Sequence, residues 1–358
     1  MSGEVKVGPV TARRGEKSFG FLPVATGADG GELGIPVHVI AGQKDGPKLV
    51  VMSSAHGYEI IQISVLQELF RTLDPGAIAG ELVLIPVANP VAFEMGSRGT
   101  WIDSLWGDSG NMNRLWPGRP NGWLTERFCY AIATEALPGS ACVIDLHACT
   151  STLALAYGYV NDGERGDVAY DISRVFGHEI LIRSTSAELE EKRQTTGTSR
   201  AYLSSIGIPS YSCEIGEFWG LGSERNGKAN GELYRGVPEV GVTGVTNVMK
   251  YLGMLEGEPK LPAKQVAVQP ELNLRPSHGG VVVTHQNAQA LGTIFAKDTV
   301  LGSVISPYTF ETLEEIKAPF DESLLLATLH QEPFTKVLPG EFGYIVADAS
   351  KTEVLAPF

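Results

Sequence analysis

At 358 residues the chain has room for one large domain or two unequal ones, and with 43% hydrophobic against 19% charged residues it can bury a substantial core. The net charge of −13, from 28 Lys and Arg against 41 Asp and Glu, disfavours nucleic acid and other generic polyanions, whose phosphates need a basic face. No run of about 18 apolar residues is present, so a membrane-spanning helix is not expected. A small anionic substrate remains compatible with the acidic balance, because one arginine in a pocket suffices for one carboxylate.

Taken in chain order, residues 1–22 carry Arg13, Arg14 and Lys17 with no apolar stretch behind them, so no secretory signal is expected. Residues 35–40 and 49–53 read as strands rich in β-branched side chains. Residues 60–73 then show helical spacing through Ile63, Leu66, Leu69 and Phe70. A strand at 81–88 closes on Asn89-Pro90, and residues 98–121 read as irregular. A helix over 125–137 and a buried strand over 141–146 follow. Further strands are expected at 153–160, 179–182 and 209–215, with helices near 167–176, 198–205 and 245–255. Strands alternating with helices predict an α/β sheet covered on both faces. After Gly257 the Glu-Pro-Lys-Leu-Pro segment 258–262 reads as a linker. Short apolar runs at 280–283, 292–295, 300–305, 324–329 and 342–346 then predict a small all-β domain, with the boundary near residue 258. Cys129, Cys142, Cys149 and Cys213 lie in or beside apolar runs and form no C-x-x-C pair, which fits reduced, buried thiols in a cytoplasmic protein.

The strand at 49–53 runs into Ser54-Ala55-His56-Gly57-Tyr58-Glu59. A histidine and a carboxylate three residues apart at a strand end can hold one zinc ion, and a third ligand from elsewhere leaves a position open for water. His147 ends the segment Val143-Ile144-Asp145-Leu146-His147 and is the candidate third ligand. Both histidines stand where parallel strands end, which is where α/β sheets gather ligands. Asp145 shares the side of His147 on an extended strand and is placed to support it. The competing reading makes His56 and His147 packed or capping histidines.

The companions of these residues decide between the two. His56-Gly57-Tyr58-Glu59, Asn89-Pro90-Val91-Ala92, Arg98, Asn111-Met112-Asn113-Arg114, Asp145-Leu146-His147 and Glu214 follow one another in order. This ordered set resembles the succinylglutamate desuccinylase/aspartoacylase family of the wider zinc carboxypeptidase clan, over roughly residues 35–255. The resemblance implies a zinc-carboxypeptidase-like mixed sheet flanked by helices, as a catalytic domain over 1–257, with a small β-rich domain over 258–358. It implies one zinc per chain on His56, Glu59 and His147. Glu214 would act as general base and proton shuttle, with Glu217 as the local alternative. Arg98 would stabilise the oxyanion, and Asn113 and Arg114 would grip a substrate carboxylate. The implied reaction is hydrolysis of an amide in a small N-acylated amino acid, with no membrane or nucleic-acid partner and with room for a homo-oligomer.

The chain departs from the family pattern in two places. Tyr58 stands where Asn or Asp is usual, and residues 104–110 read as an insertion that sets Arg98 fifteen residues before Asn113. The same region holds Trp101, Trp106, Trp116 and Trp123. Trp106 and Trp116 are candidates to line an apolar substrate pocket, against the alternative that the indoles only pack the loop onto the body. Gly107-Asp108-Ser109-Gly110 resembles a serine-protease nucleophile segment, but those enzymes are all-β and the reading is set aside. His38, His178, His278, His285 and His330 have no evident partners and read as structural. The alternatives to a deacylase are a metallocarboxypeptidase acting on peptides and a catalytically silent binding protein.

Overall fold

The computed structural model describes residues 3–104, 110–149, 157–161, 166–184, 197–217, 230–269, 271–286, 290–328, 334–341 and 343–358. The first strands are β1 (Glu4–Val7), β2 (Val10–Arg13), β3 (Lys17–Thr26), β4 (Glu32–Ala41) and β5 (Lys44–Ser53). Then come α1 (Ile63–Thr72), β6 (Ala79–Ile85), the short helices α2 (Pro90–Met95) and α3 (Trp101–Ser104), and α4 (Leu124–Ala131). The middle of the chain forms β7 (Ser140–Cys149), β8 (Tyr157–Asn161), α5 (Gly166–Phe176) and β9 (Ile180–Ser184). It continues with α6 (Ser199–Ser205), β10 (Ser210–Glu217) and α7 (Asn230–Tyr251). The remaining segments are β11 (Val266–Val268), β12 (Glu271–Leu274), β13 (Gly280–Thr284), β14 (Ile294–Ala296) and β15 (Val300–Ile305). The chain finishes with β16 (Thr312–Lys317), β17 (Glu322–Thr328), β18 (Phe334–Val337), β19 (Tyr344–Asp348) and β20 (Glu353–Val354).

Ten of these strands form one mixed sheet in the order β20-β11-β9-β8-β10-β7-β5-β6-β4-β3. Its centre is parallel, with β5 paired to both β6 and β7, and β7 paired to β10. The apolar run at 49–52 is buried at every position because both faces are covered. Val50 and Met52 join Phe128 and Ile132 of the α4 side, whereas Leu49 and Val51 join Leu66, Leu69, Val175 and Val248 from α1, α5 and α7. That is the two-residue period of a strand feeding two separate cores. Helix α7 lies close to α5 because Gly244 has no side chain; a Cβ there would stand 2.3 Å from the Phe176 ring.

Beyond α7 the chain builds two antiparallel four-stranded sheets, β12-β19-β17-β14 and β16-β15-β13-β18. They share a core of Val282, Leu301, Val304, Ile316, Leu325, Val337, Tyr344 and Val346. A further cluster joins Ile180, Ile182 and Val268 of the main sheet to Leu326, Ala327, Ile345 and Ala347. Strand β11 pairs with β9, and β20 pairs with β11, so residues past 258 also extend the main sheet.

The α/β sheet and the β-rich C-terminal part are as the sequence predicts. The N-terminal strands β1 to β3 are not predicted by it. The expected helix over 125–137 ends at Ala131 and gives way to a π turn, Ile132–Ala136. The irregular segment 98–121 contains α3 and a 3-10 turn, Met112–Arg114. Of the expected strand over 153–160, residues 153–156 lie outside the described residues. Among the described residues no helix is long and apolar enough to cross a membrane.

Candidate metal centre and active site

Strand β5 ends at Ser53, and the chain turns sharply at Ser54, whose φ of 53° lies in the left-handed region that non-glycine residues seldom adopt. The turn is locked by its own side chain, since Ser54 Oγ donates to the Glu59 carbonyl at 2.8 Å. His56 and Glu59 are thereby presented together in the loop before α1. Just before that helix, Gln62 Nε2 donates to the carbonyls of His147 at 2.8 Å and Ile215 at 2.7 Å. This one buried amide fastens the loop to the carboxyl ends of β7 and β10. The three strand ends converge as a parallel sheet dictates.

His56, Glu59 and His147 offer one ligand atom each, all within 4.8 Å of one another, and all three side chains are buried. Glu59 sits between the imidazoles, with Oε1 2.6 Å from His56 Nδ1 and Oε2 2.9 Å from His147 Nδ1. The outer nitrogens face oxygen acceptors. His56 Nε2 is 3.1 Å from Asn111 Oδ1, and His147 Nε2 is 3.0 Å from Asp145 Oδ2. Metal-binding histidines are oriented by an oxygen beside the outer nitrogen, here a hydrogen-bonding contact at His56 and an ion-pair contact at His147. The donor set therefore fits a divalent metal: two imidazole nitrogens and a carboxylate are the three protein ligands a catalytic zinc takes, with water as the fourth. Charge agrees with position. Burial opposes ionisation of Glu59, but His56 and His147 outweigh it and hold the carboxyl below its ordinary range. Burial likewise opposes a charge on His147, yet Asp145 and Glu59 raise its pKa well above the usual value. For His56 burial dominates and the pKa falls.

The other expected residues surround this cluster. Glu214 lies directly opposite His147 in the parallel register of β10 and β7, so the two share a sheet face. The register slips between Glu214 and Glu217, a bulge that ends regular pairing just past the carboxylate. Arg98 donates from Nη1 to Tyr58 Oη at 2.8 Å. It is solvent-accessible yet has protein around most of it, and the charges of Glu59 and Glu214 reach it, with Tyr58 the strongest influence raising its pKa against burial. Asn89 caps α2 by accepting from the Ala92 amide at 3.1 Å and also accepts from Thr100 Oγ1 at 3.2 Å, so this motif shapes the Arg98 loop. Asn113 Oδ1 accepts from the Ser199 amide at 2.9 Å, and Arg114 Nη1 donates to the Asn113 carbonyl at 2.6 Å. Arg114 has its pKa lowered, first by burial and then by Arg98, Arg200 and Arg275, so several guanidinium groups share this side of the site.

Trp116 is 5% exposed and stacks on Tyr202 at 6.2 Å between ring centroids, with its backbone amide donating to the Gly197 carbonyl at 3.0 Å. Its ring packs the loop to the body. Trp106 lies outside the described residues, as does the Gly107-Asp108-Ser109 segment, and of Glu217 only the backbone is described.

Ser199, Asn111, Gln62 and Arg275 have supporting positions that motif reasoning does not assign. Ser199 Oγ donates to Asp145 Oδ2 at 2.6 Å, linking the carboxylate beside His147 to Asn113. Asn111 lies inside the Asn-x-Asn-Arg motif, so its role at His56 was within reach; a lone serine or glutamine at a helix start carries no comparable signal.

The catalytic-domain profile of the succinylglutamate desuccinylase/aspartoacylase family matches residues 45–230, a span that holds His56, Glu59, Arg98, His147 and Glu214. The chain belongs to this family. The N-alpha-acetyl-L-2,4-diaminobutyric acid deacetylase of Halomonas elongata is 26% identical over 254 residues, covering 68% of this chain and 66% of that protein, just under two thirds of its length. In fold, the chain is similar to the product-bound ectoine utilization protein EutE of Ruegeria pomeroyi, with a TM-score of 0.77 at 22% identity over 98% of this chain and 100% of that one. A succinylglutamate desuccinylase from Silicibacter sp. TM1040 gives 0.76 at 21% identity, covering 96% of this chain and 99% of that one. An aspartoacylase family protein from Mesorhizobium loti gives 0.72 at 21% identity, covering 97% and 99%. At these identities the structural likenesses speak to the fold alone.

Proposed function

We propose that this chain is a zinc-dependent deacylase that hydrolyses the amide bond of a small N-acylated amino acid. The observation that carries the reading is the buried His56–Glu59–His147 cluster with both outer imidazole nitrogens at oxygen acceptors and Glu214 on the neighbouring strand. Membership of the family supports it, as does the likeness to an N-acetyl diaminobutyrate deacetylase.

His56, Glu59 and His147 would hold the zinc, which when bound supplies a Lewis acid for the amide carbonyl and makes a water acidic enough to attack at neutral pH. Glu214 accepts the proton of the attacking water and passes it to the leaving nitrogen, so one carboxylate serves both halves of the reaction. Arg98 faces the negative charge that develops on the carbonyl oxygen. Asn113 is held by Ser199 through its oxygen, which leaves its amide hydrogens for the substrate. Arg114 offers a carboxylate two parallel hydrogen bonds. The cluster of Arg98, Arg114, Arg200 and Arg275 favours an anionic substrate.

The test is a panel of N-acyl amino acids assayed before and after chelation. Hydrolysis that stops on metal removal and returns with zinc supports the reading. Hydrolysis that survives exhaustive chelation, or none on any member of the panel with zinc present, overturns it.

A further inference from the structure

Two loops meet beside the candidate metal centre, and they are tied twice. The Gly57 amide donates to the Ser97 carbonyl at 2.8 Å, and Arg98 Nη1 donates to Tyr58 Oη at 2.8 Å. The first tie needs glycine. A Cβ on Gly57 would stand 1.9 Å from the Ala92 carbonyl oxygen, so α2 presses on the loop's backbone. That helix then stops at Gly96 in the left-handed conformation, and Ser97 Oγ donates to the Gly99 carbonyl at 2.7 Å, closing a turn around Arg98. The backbone under Arg98 is therefore fixed. Its side chain is a separate matter, because an arginine loses considerable rotamer freedom when ordered, and something must hold its far end.

Tyr58 supplies that hold from between two candidate ligands, and it does so with a phenol. A carboxylate at this place would pin the guanidinium and also neutralise it. An apolar ring would remove this hydrogen bond. A neutral hydroxyl accepts the hydrogen bond and leaves the positive charge to act on a substrate oxygen. We propose that Tyr58 is a positioning residue, which holds the Arg98 guanidinium beside the metal loop so that ligands and oxyanion residue move as one unit. The catalytic consequence rests on the deacylase reading; the hold itself does not.

Tyr58→Phe removes only the hydroxyl. Losing one charge-assisted hydrogen bond at a catalytic arginine predicts a fall in kcat of about 10- to 100-fold with KM changed by less than about threefold. Zinc content should match the parent. On an Arg98→Ala background the same change should cost nothing more, because a residue acting through Arg98 has nothing left to position. Independently of activity, proteins labelled with 15N-arginine report the guanidinium directly. The Arg98 signal, assigned by its loss in Arg98→Lys, should move or broaden in Tyr58→Phe. An unchanged kcat, or losses that multiply in the double variant, or an unmoved Arg98 signal would overturn the proposal. A parent that hydrolyses nothing would sink the deacylase reading and the catalytic role with it, and the Arg98 signal would still decide whether Tyr58 holds the arginine.

Discussion

Glu214 on β10 and Glu59 in the loop after β5 are both carboxylates, and on the proposed reading their surroundings give them different work. Glu59 is 2% exposed and clasped between two imidazoles, which keep it ionised as a ligand should be. Glu214 is only half-buried, opposite His147, and is placed to exchange a proton with water. Glu214→Gln keeps the shape but cannot accept a proton, so kcat should fall by about 10²- to 10⁴-fold while bound metal stays the same. Steady-state kinetics beside elemental analysis checks both halves. Full activity in the variant would move the base to Glu217. Much of the candidate site was legible in the sequence, because the candidate ligands, base and arginines sit in ordered motifs. Ser199 was not: its hydroxyl reaches Asp145 only through the docking of α6, which no local pattern records.

Among the elements, the turn between α5 and β9 and the start of β10 carry a second polar pair, away from the catalytic edge of the sheet. His178 Nδ1 lies 2.5 Å from Tyr211 Oη, and both are buried in the core shared with α5 and α7. Burial raises the Tyr211 pKa, so the phenol keeps its proton and donates it, and burial pushes His178 down to about 3. The folded state thus keeps His178 neutral where the unfolded chain takes up a proton near pH 6.5. Stability from this group is complete above that pH and is lost as the pH falls towards 3. Between pH 6.5 and 5 the parent should lose about 1 to 2 kcal/mol more than His178→Gln, measured by urea unfolding. Equal losses in both proteins would show that the imidazole is not excluded from water as described.

The strands that position the site were readable from continuous buried apolar runs, Leu49 to Met52 in β5 and Cys142 to Ile144 in β7. Strand β3 was not: its burial alternates between Phe19 and Val24, but the exposed face carries Phe19 and Phe21, so the alternation does not show as a hydrophobic period in the sequence. Strands β11 and β20 are three and two residues long, too short for any period to show. The helix over 125–137 was readable in its apolar spacing, but a spacing does not reveal where α-turns relax into a π turn.

Across the whole molecule, a chain of net charge −13 brings arginines from separate segments together near Arg114, on the side of the candidate site. Arg98 follows α2, Arg114 closes the 3-10 turn, Arg200 starts α6 and Arg275 follows β12. The last comes from the β-rich C-terminal part, which packs on the main sheet through Ile345 and Ala347. On the proposed reading, arginines gathered on one side of an otherwise acidic chain would favour a small anion there, while the net charge repels larger polyanions. We propose the division at 257/258 as a division of labour, with residues 1–257 carrying the chemistry and 258–358 closing the site from one side.

The central claim is that His56, Glu59 and His147 hold a catalytic zinc. The most direct measurement is elemental analysis of the purified parent and its Glu59→Ala variant, with both assayed on the same N-acyl amino acids. The account predicts about one zinc per chain in the parent, with both the metal and amide hydrolysis lost in a variant that still folds. A parent that binds no zinc, or a Glu59→Ala protein that keeps its metal and its activity, would contradict it.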